Sequence, residues 1–435
     1  MAYPFAPVMG STTVPGPSFD LAVIGLGYVG MPLAKEATSA GLRVIGLDVD
    51  PAKIEALNSG RSYIDDLSGT EIAEMLSAGF RATTDEAILG RADTIIICVP
   101  TPLDEDHRPD LSAVHSASEA VARHLRPGTL VVLESTTWPG TTDEEIRPIL
   151  EKSGLRAGVD FHLAFSPERI DPGNPTYGLR NTPKVVGGYT EACRDRAASF
   201  YGKFVEQVVP VSGTREAEMA KLLENTYRHV NIALVNEMAI FCDELDIDLW
   251  EVIDAASTKP FGFQRFLPGP GVGGHCIPVD PSYLSYTVRK LGYPFRFVEL
   301  AQEINERMPS YVVARVQRLL NRHKKAVNGA RVLLLGVTYK PDIADDRETP
   351  ALPVARALRE LGAELVFCDP YVPEWTVDGD VVPKEEDLGE AAAKADIAVL
   401  LQQHSAFDLE VLRTRAQLVL DTRGVLADAE HVERL

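Results

Sequence analysis

Between Pro268 and Pro281 the chain reads PGPGVGGHCIPVDP, which sets a thiol, Cys276, after four glycines and a carboxylate, Asp280, four residues further on. Glycines at that density let a backbone pass close to a ligand and turn where side chains would clash. A thiol beside such a loop, with a carboxylate on the following turn, suits a covalent catalyst held against bound substrate. The alternative for Cys276 is a small buried apolar residue in a tight turn. Lys221 and Asn225 stand four apart and share a helix face, either offered together to a site or simply solvated. Glu168 and Arg169 follow an apolar run in FHLAFSPERIDPG. TYKPDIADDRETP carries Tyr339, Lys340 and Arg347, donors suited to a diphosphate or nucleotide, or else a solvated charged loop.

The elements that must position these residues are legible around them. Residues 19–30 read FDLAVIGLGYVG, a short apolar strand followed by G-x-G-x-x-G at Gly25, Gly27 and Gly30, with a helical pattern over 31–40. The next strand, RVIGLDVD, carries Asp48, 23 positions after Gly25. Strand, glycine triplet, helix and acidic residue together make the dinucleotide fingerprint, with the pyrophosphate resting on the helix N-terminus. Asp48 can accept hydrogen bonds from ribose hydroxyls and would repel a 2′-phosphate, so the cofactor expected is NAD rather than NADP. DTIIICVPT (93–101) and TLVVLESTT (129–137) are continuous apolar runs, as in a parallel sheet covered on both faces. Ligands bind beyond the carboxyl ends of such strands, so Pro100, Thr101, Ser135 and Thr136 should face the cofactor. KVVGG (184–188) predicts one more strand.

From Thr214 to Leu245 run 32 residues without Gly or Pro, with Met219, Leu222, Leu223, Val230, Leu234 and Met238 at helical spacing. A helix of that length spans roughly 48 Å, longer than a small domain is wide, and predicts a spine between domains and a dimer element. Beyond it the alternating pattern restarts with RVLLLGV (331–337), a helix over about 349–361, AELVFCDP, DIAVLL and QLVLDT. Cys368-Asp369-Pro370 echoes Asp48-Val49-Asp50-Pro51, but Gly336 stands without a triplet. The second half therefore reads as a Rossmann-type domain turned to a nucleotide other than NAD. The expected fold is α/β, two doubly wound Rossmann-like domains joined by a long central helix and helical dimerisation region. The expected boundaries are a loose tail over 1–17, an NAD domain over 18–210, a central region over 211–325 carrying the Lys and the Cys loop, and a second Rossmann-like nucleotide domain over 326–435, which the resemblance described below makes a nucleotide-sugar domain.

Composition narrows the function classes. With 435 residues, 45% hydrophobic and 24% charged, the chain can build two or three domains with separate cores. A net charge of −20 argues against nucleic acid or an anionic membrane as partner. The five scattered cysteines include no CxxC pair, and no His cluster has ligand spacing, which predicts reduced thiols, a cytoplasmic setting and no metal. No apolar run approaches the ~20 residues that a membrane helix needs.

The ordered set GLGYVG, VPTP, EST, SPER, KLLENTY, GGHCIPVD and TYKPDIADDR resembles the UDP-glucose/GDP-mannose dehydrogenase family, the NAD-dependent four-electron oxidoreductases of nucleotide sugars. The similarity runs from about Phe19 to the C-terminus. It implies oxidation of the sugar C6 alcohol through an aldehyde to a carboxylate, with two NAD and one water. Cys276 aligns with the family nucleophile, which captures the aldehyde as a thiohemiacetal that becomes a thioester. Lys221 and Asn225 match the groups that stabilise the oxyanion, and Asp280 the aspartate that orders water and proton traffic near the thiol. Glu168 matches the glutamate linked to thioester hydrolysis, and Thr136 the threonine that positions water. For the cofactor the resemblance implies Gly25, Gly27, Tyr28, Val29, Gly30, Asp48, Lys53, Pro100, Thr101, Ser135, Thr136 and, reaching from the C-terminal domain, Arg347. For the nucleotide sugar it implies Glu168, Arg169, Lys221, Asn225, Phe266, Gly271, Gly273, Gly274, Tyr339 and Lys340. A homodimer is implied as well.

UDP-glucose members of the family carry a second glutamate where SPERIDPG places Pro172. SPERxDPGN and GPGVGGHCIPVDP instead resemble the branches that oxidise UDP-N-acetylhexosamines, which favours UDP-GlcNAc or UDP-ManNAc as substrate. UDP- or dTDP-glucose in a polysaccharide or natural-product pathway is the alternative. A two-electron hydroxyacid-type dehydrogenase would share the NAD domain and a long helix, but would need neither the Cys276 loop nor a second Rossmann-like domain. A non-catalytic NAD-binding regulator would be favoured had Lys221, Cys276 or Asp280 been replaced, and all three are present.

Overall fold

The computed structural model describes residues 18–435, apart from 65–66, 105–107, 172–173, 175 and 275 and the side chains of 276–279 and 290. The expected tail over 1–17, the Pro172 position and the Cys276 side chain lie outside the described residues. The chain divides into two compact units, one up to Thr101 and over Leu111–Glu218, the other over Pro102–Asp110 and Met219–Leu435.

The first unit is built on eight strands: β1 (Phe19–Ile24), β2 (Val44–Leu47), β3 (Arg81–Thr83), β4 (Ala92–Ile97), β5 (Leu130–Leu133), β6 (His162–Phe165), β7 (Lys184–Gly188) and β8 (Val208–Pro210). They lie in the order β3-β2-β1-β4-β5-β6-β7-β8, and the first six run parallel. β7 reverses against β6. The continuous apolar runs arise because both faces are covered: Ile95, Ile96, Ile97, Val131, Val132 and Leu133 are all fully buried. Strand order reverses between β1 and β4, the switch point at which doubly wound sheets bind ligands.

The longer stretch of the second unit starts inside the spine helix, Thr214–Glu244. It continues through helices at Leu249–Ser257, Cys276–Lys290 and Arg296–Arg322. Asp248 starts the first of these by accepting hydrogen bonds from the Trp250 and Glu251 amides. The spine buries Leu222, Ala233, Val235, Ala239 and Cys242, and leaves Met219, Leu223 and Leu234 exposed. The apolar positions therefore fall on two faces rather than one. Five strands follow, β9 (Arg331–Leu335), β10 (Glu364–Cys368), β13 (Ile397–Leu400), β14 (Val419–Asp421) and β15 (Val432–Arg434). The hairpin β11 (Trp375–Val377) with β12 (Asp380–Val382) lies between β10 and β13 in the chain. The sheet is parallel throughout, in the order β10-β9-β13-β14-β15, which is the second common doubly wound arrangement. The expected second Rossmann-like domain is thus present, with β15 and the hairpin as elements the sequence pattern did not announce.

Candidate active site

In the first unit the glycine turn does three different jobs. Gly25 has φ +90°, and a Cβ there would stand 2.5 Å from the Cys98 carbonyl oxygen. At Gly30 a Cβ would collide with the Gly25 carbonyl oxygen, so the third glycine is what seats the Gly30–Ser39 helix on its strand. A Cβ on Gly27 would meet nothing within 4 Å, so its absence serves space and not packing. No side chain caps the helix at Val29, and its first turn has no acid, whereas Asp50 and Ser68 cap the two helices that follow. An uncapped N-terminus beside open backbone fits a pyrophosphate. Asp48 is buried, and its carboxylate accepts the Leu26 amide at 2.9 Å and the Asp50 amide at 3.0 Å, with the Lys53 ammonium 3.7 Å away. Tyr63 donates its hydroxyl to the Leu26 carbonyl, so this ring, absent from the expected set, also braces the turn. Tyr28 and Val29 are half-buried against the core. These residues fit NAD: the turn leaves room for a diphosphate, and the Asp48 carboxylate stands just beyond the second strand.

Beyond β4 and β5 lie the four residues expected to face the cofactor. Thr101 is buried and Pro100 exposed. Ser135 donates its hydroxyl to the Val99 carbonyl at 2.7 Å, tying the two strand ends together, and Thr136 is half-buried beside it. Glu168 follows β6, and one of its oxygens, Oε1, accepts the Arg169 amide at 2.6 Å and the Ile170 amide. Oε2 is buried and has no hydrogen-bond partner among the described residues. The Lys184 ammonium lies 3.6 Å from it. Lys184 is itself buried and bonds Glu134 at 3.0 Å and the Pro167 carbonyl at 3.3 Å, and Tyr201 donates its hydroxyl to Glu134. Burial works against the Lys184 charge, and the carboxylates of Glu134 and Glu168 outweigh it, so its pKa is raised. Glu134, Lys184 and Tyr201 were not among the expected site residues. The available signal was a charge at the end of each of two continuous apolar runs, in LVVLEST and KVVGG.

In the second unit Lys221, Asn225 and Asp280 come together. Lys221 is 9% exposed and Asp280 3%. Asn225 donates its amide to Asp280 Oδ2. Burial pushes the Asp280 carboxyl up to about 6, against the attraction of Lys221 and the Asn225 hydrogen bond. Asp280 sits in the helix that begins at Cys276, which fixes the thiol's residue one turn before the carboxylate. A buried acid that titrates near neutrality, held by an amide and a cation, can pass a proton in either direction.

The glycine loop leading to Cys276 is fixed from two sides. The Gly269 amide donates to Asn236 of the spine at 2.9 Å, and Asn236 donates to Asn305 of the Arg296–Arg322 helix at 2.9 Å. His229 completes this buried group beside Asn305, and burial lowers its pKa to about 4. A Cβ on Gly273 would stand 2.7 Å from both Pro350 and Tyr339, and one on Gly274 2.7 Å from the Tyr339 ring. The loop therefore packs directly on the 339–350 turn, which brings Gly271, Gly273, Gly274 and Tyr339 together. Lys340 shares that turn, half-buried. Arg347 is gripped by Asp345 through both oxygens, at 2.8 and 2.6 Å. Phe266 stacks edge-on against Tyr227, 5.8 Å between ring centres. Among the described residues no group of His, Cys, Asp and Glu could hold a metal ion. Nor, among them, is any helix long and apolar enough to cross a membrane.

Comparison with known proteins bears on both units. Residues 19–205 match the NAD binding domain of the UDP-glucose/GDP-mannose dehydrogenase family, 215–307 its central domain and 333–428 its UDP binding domain. A UDP-N-acetyl-D-glucosamine 6-dehydrogenase of Pseudomonas aeruginosa is 38% identical over 354 residues, covering 81% of this chain and 83% of that protein. A UDP-N-acetyl-D-mannosamine dehydrogenase of Yersinia pestis is 36% identical and covers 94% and 99%. Among solved structures, a UDP-D-ManNAc dehydrogenase from Pyrococcus horikoshii superposes with a TM-score of 0.86 at 33% identity, covering 95% of this chain and 98% of that one.

Proposed function

The chain belongs to the UDP-glucose/GDP-mannose dehydrogenase family, and from that premise we propose that it oxidises the C6 hydroxyl of a UDP-N-acetylhexosamine, UDP-GlcNAc or UDP-ManNAc, to the carboxylate. It is an NAD-dependent nucleotide-sugar dehydrogenase. NAD, when bound, supplies hydride acceptance, twice for each sugar. In balance, R–CH2OH, one water and two NAD+ give R–COO−, two NADH and three protons.

The chain's own residues carry the rest. Cys276 adds its thiolate to the C6 aldehyde, and the resulting thiohemiacetal is oxidised to a thioester. Lys221 and Asn225 hold the oxyanion of each step. Asp280 takes up and returns protons at the oxygen and the thiol, in keeping with a carboxyl near 6. Glu168 accepts the proton of the attacking water, and Thr136 positions that water. The C–O bond to water then forms as the C–S bond to Cys276 breaks. Arg169, Phe266, Gly271, Gly273, Gly274, Tyr339 and Lys340 hold the nucleotide sugar. The glycine turn, Tyr28, Val29, Asp48, Lys53, Pro100, Thr101, Ser135 and Arg347 hold the cofactor.

The single observation that supports this best is the buried Asp280 bonded by Asn225 beside Lys221, on the helix that starts at Cys276. A two-electron dehydrogenase could use the acid and the cation, but has no use for a thiol at the start of that helix. The three matched stretches support division into an NAD domain, a central helical region and a nucleotide-sugar domain. Met219, Leu223, Tyr227, Leu234, Phe241 and Leu245 form an exposed apolar stripe along the spine helix, which supports a homodimer. The setting proposed is cytoplasmic. The deciding experiment offers UDP-GlcNAc, UDP-ManNAc, UDP-glucose and dTDP-glucose with NAD and follows NADH and product. The expectation is highest kcat/KM with a UDP-N-acetylhexosamine and two NADH per uronate formed. Preference for a glucose nucleotide overturns the sugar assignment, and one NADH with free aldehyde overturns the four-electron chemistry.

A further inference from the structure

The first unit holds a buried ionic group that the reaction as described does not use. Lys184 at the head of β7 is 2% exposed, Glu134 at the end of β5 is 1% exposed, and Tyr201 is fully buried. Burying an ion pair gains little stability over an apolar pair of the same volume, so its presence calls for a reason beyond folding. What distinguishes this pair is its third member. Lys184 bonds Glu134 at 3.0 Å and the Pro167 carbonyl at 3.3 Å, and it stands 3.6 Å from Glu168 Oε2. Glu168 is pinned from the other side by the Arg169 and Ile170 amides on Oε1. Its Oε2 is thus oriented by a cation, while no described group hydrogen-bonds it. Tyr201, whose hydroxyl bonds Glu134, also carries its ring under the ammonium, 5.3 Å from Nζ.

We propose that Lys184, clamped by Glu134 and Tyr201, is a positioning residue that keeps Glu168 as a carboxylate aimed to receive a proton from the water that cleaves the thioester. This rests on the reading of Glu168 given above. The step it serves is balanced: water adds its oxygen to the thioester carbon, one water proton passes to Glu168 Oε2, and the C–S electron pair leaves with Cys276 as thiolate. One ammonium facing two carboxylates leaves a net negative charge, and Glu134 is tied down by Tyr201. Without the ammonium, Glu134 and Glu168 would share the buried space as like charges, and one of them would hold a proton. A protonated Glu168 cannot accept another. The hydride transfers involve no water, so they should not depend on Lys184.

The test compares wild type with Lys184→Met, Lys184→Arg, Glu168→Gln and the Lys184→Met/Glu168→Gln double variant. Stopped-flow NADH formation and intact-protein mass after acid quench are followed with the preferred UDP sugar. Lys184→Met should keep a burst of two NADH per site, accumulate the covalent adduct, and fall about tenfold or more in steady-state rate, within the range of coupling between neighbouring groups. Lys184→Arg, which restores a cation, should recover most of that loss. In the Glu168→Gln background, Lys184→Met should add less than about twofold, because it acts through Glu168. If Lys184→Met does not fold, Lys184→Gln, which keeps a donor for Glu134 but removes the charge, carries the same prediction. Losses that multiply, or a burst slowed as much as the steady state, overturn the proposal with the Glu168 assignment intact. An unchanged steady state in Glu168→Gln alone overturns that assignment, and the proposal with it.

Discussion

Asp280→Asn isolates the charge that the second unit buries. Asp280 is 3% exposed, and its carboxyl is pushed from 3.8 to about 6, chiefly by desolvation. A rise of about two units is a preference of about 3 kcal/mol for the neutral form. The folded pKa lies above the unfolded one, so the folded state binds the proton more tightly between the two. Stability contributed by this group is therefore full below pH 4 and is lost as pH rises towards 6. Asparagine keeps the shape and the contact with Asn225 but cannot ionise. Relative to wild type, Asp280→Asn should be nearly neutral at pH 4 and gain about 1.4 kcal/mol per pH unit up to 6, then level off about 3 kcal/mol more stable. Urea unfolding from pH 4 to 8 measures this. In a Trp138→Phe background the remaining indoles, Trp250 and Trp375, both lie in the unit that contains Asp280. Parallel stability curves for the two proteins would refute the account, since they would mean that Asp280 is either not buried or not titrating in this window.

Lys221→Ala should fold, keep NAD binding and lose about a hundredfold or more in kcat, as the loss of an oxyanion donor does. A variant within threefold of wild type would make Lys221 a structural residue. Gly27→Ala should change unfolding free energy by less than about 0.5 kcal/mol, because its Cβ meets no protein atom. The same variant should weaken NAD binding clearly in calorimetry, and unchanged affinity would place the cofactor away from this turn.

How much could be read in advance depended on range. β1, β4, β5, β6 and β7 all fall within apolar runs bounded by turn residues, and the spine helix ends within a residue of the predicted span. Those signals are local. The Arg296–Arg322 helix went without a prediction because Pro309 interrupts its pattern, yet it continues through that proline with Met308, Val312 and Val316 buried. Packing of its apolar stripe overrides the break. Lys221, Asn225 and Asp280 were legible as motifs, but Asp280 lies 55 residues from Asn225, and only folding shows them bonded. Lys184 and Glu134, 50 residues apart, gave no such hint: each alone reads as a strand end, and the charge between them exists only in the sheet.

The two Rossmann-like halves show what separates a fold from its ligand. Leu26 donates its amide to Asp48 at 2.9 Å, and Val337 donates to Asp369 at 2.8 Å. Gly25 has φ +90° and Gly336 +73°, and at each a Cβ would strike the backbone beyond the neighbouring strand, at Cys98 and at Gln402. So far the second half repeats the first atom for atom in kind. In register with Gly27, however, stands Thr338, which donates its hydroxyl to the Lys340 carbonyl at 2.8 Å, and in register with Gly30 stands Pro341. Asp369 is not left to a ribose either. The fully enclosed His404 ring bonds it at 3.0 Å, accepts the Asp342 amide at 3.0 Å on its other nitrogen, and lies 5.0 Å from the Tyr371 ring. The first glycine and the acid survive because the strand–turn junction needs them, whereas the positions of the second and third glycines carry side chains. The outer turn carrying Tyr339 and Lys340, which we propose meets the nucleotide, is the turn on which Gly273 and Gly274 pack. The turn proposed for the nucleotide and the glycine loop that leads to Cys276 are thus two segments far apart in the chain that lie in direct contact.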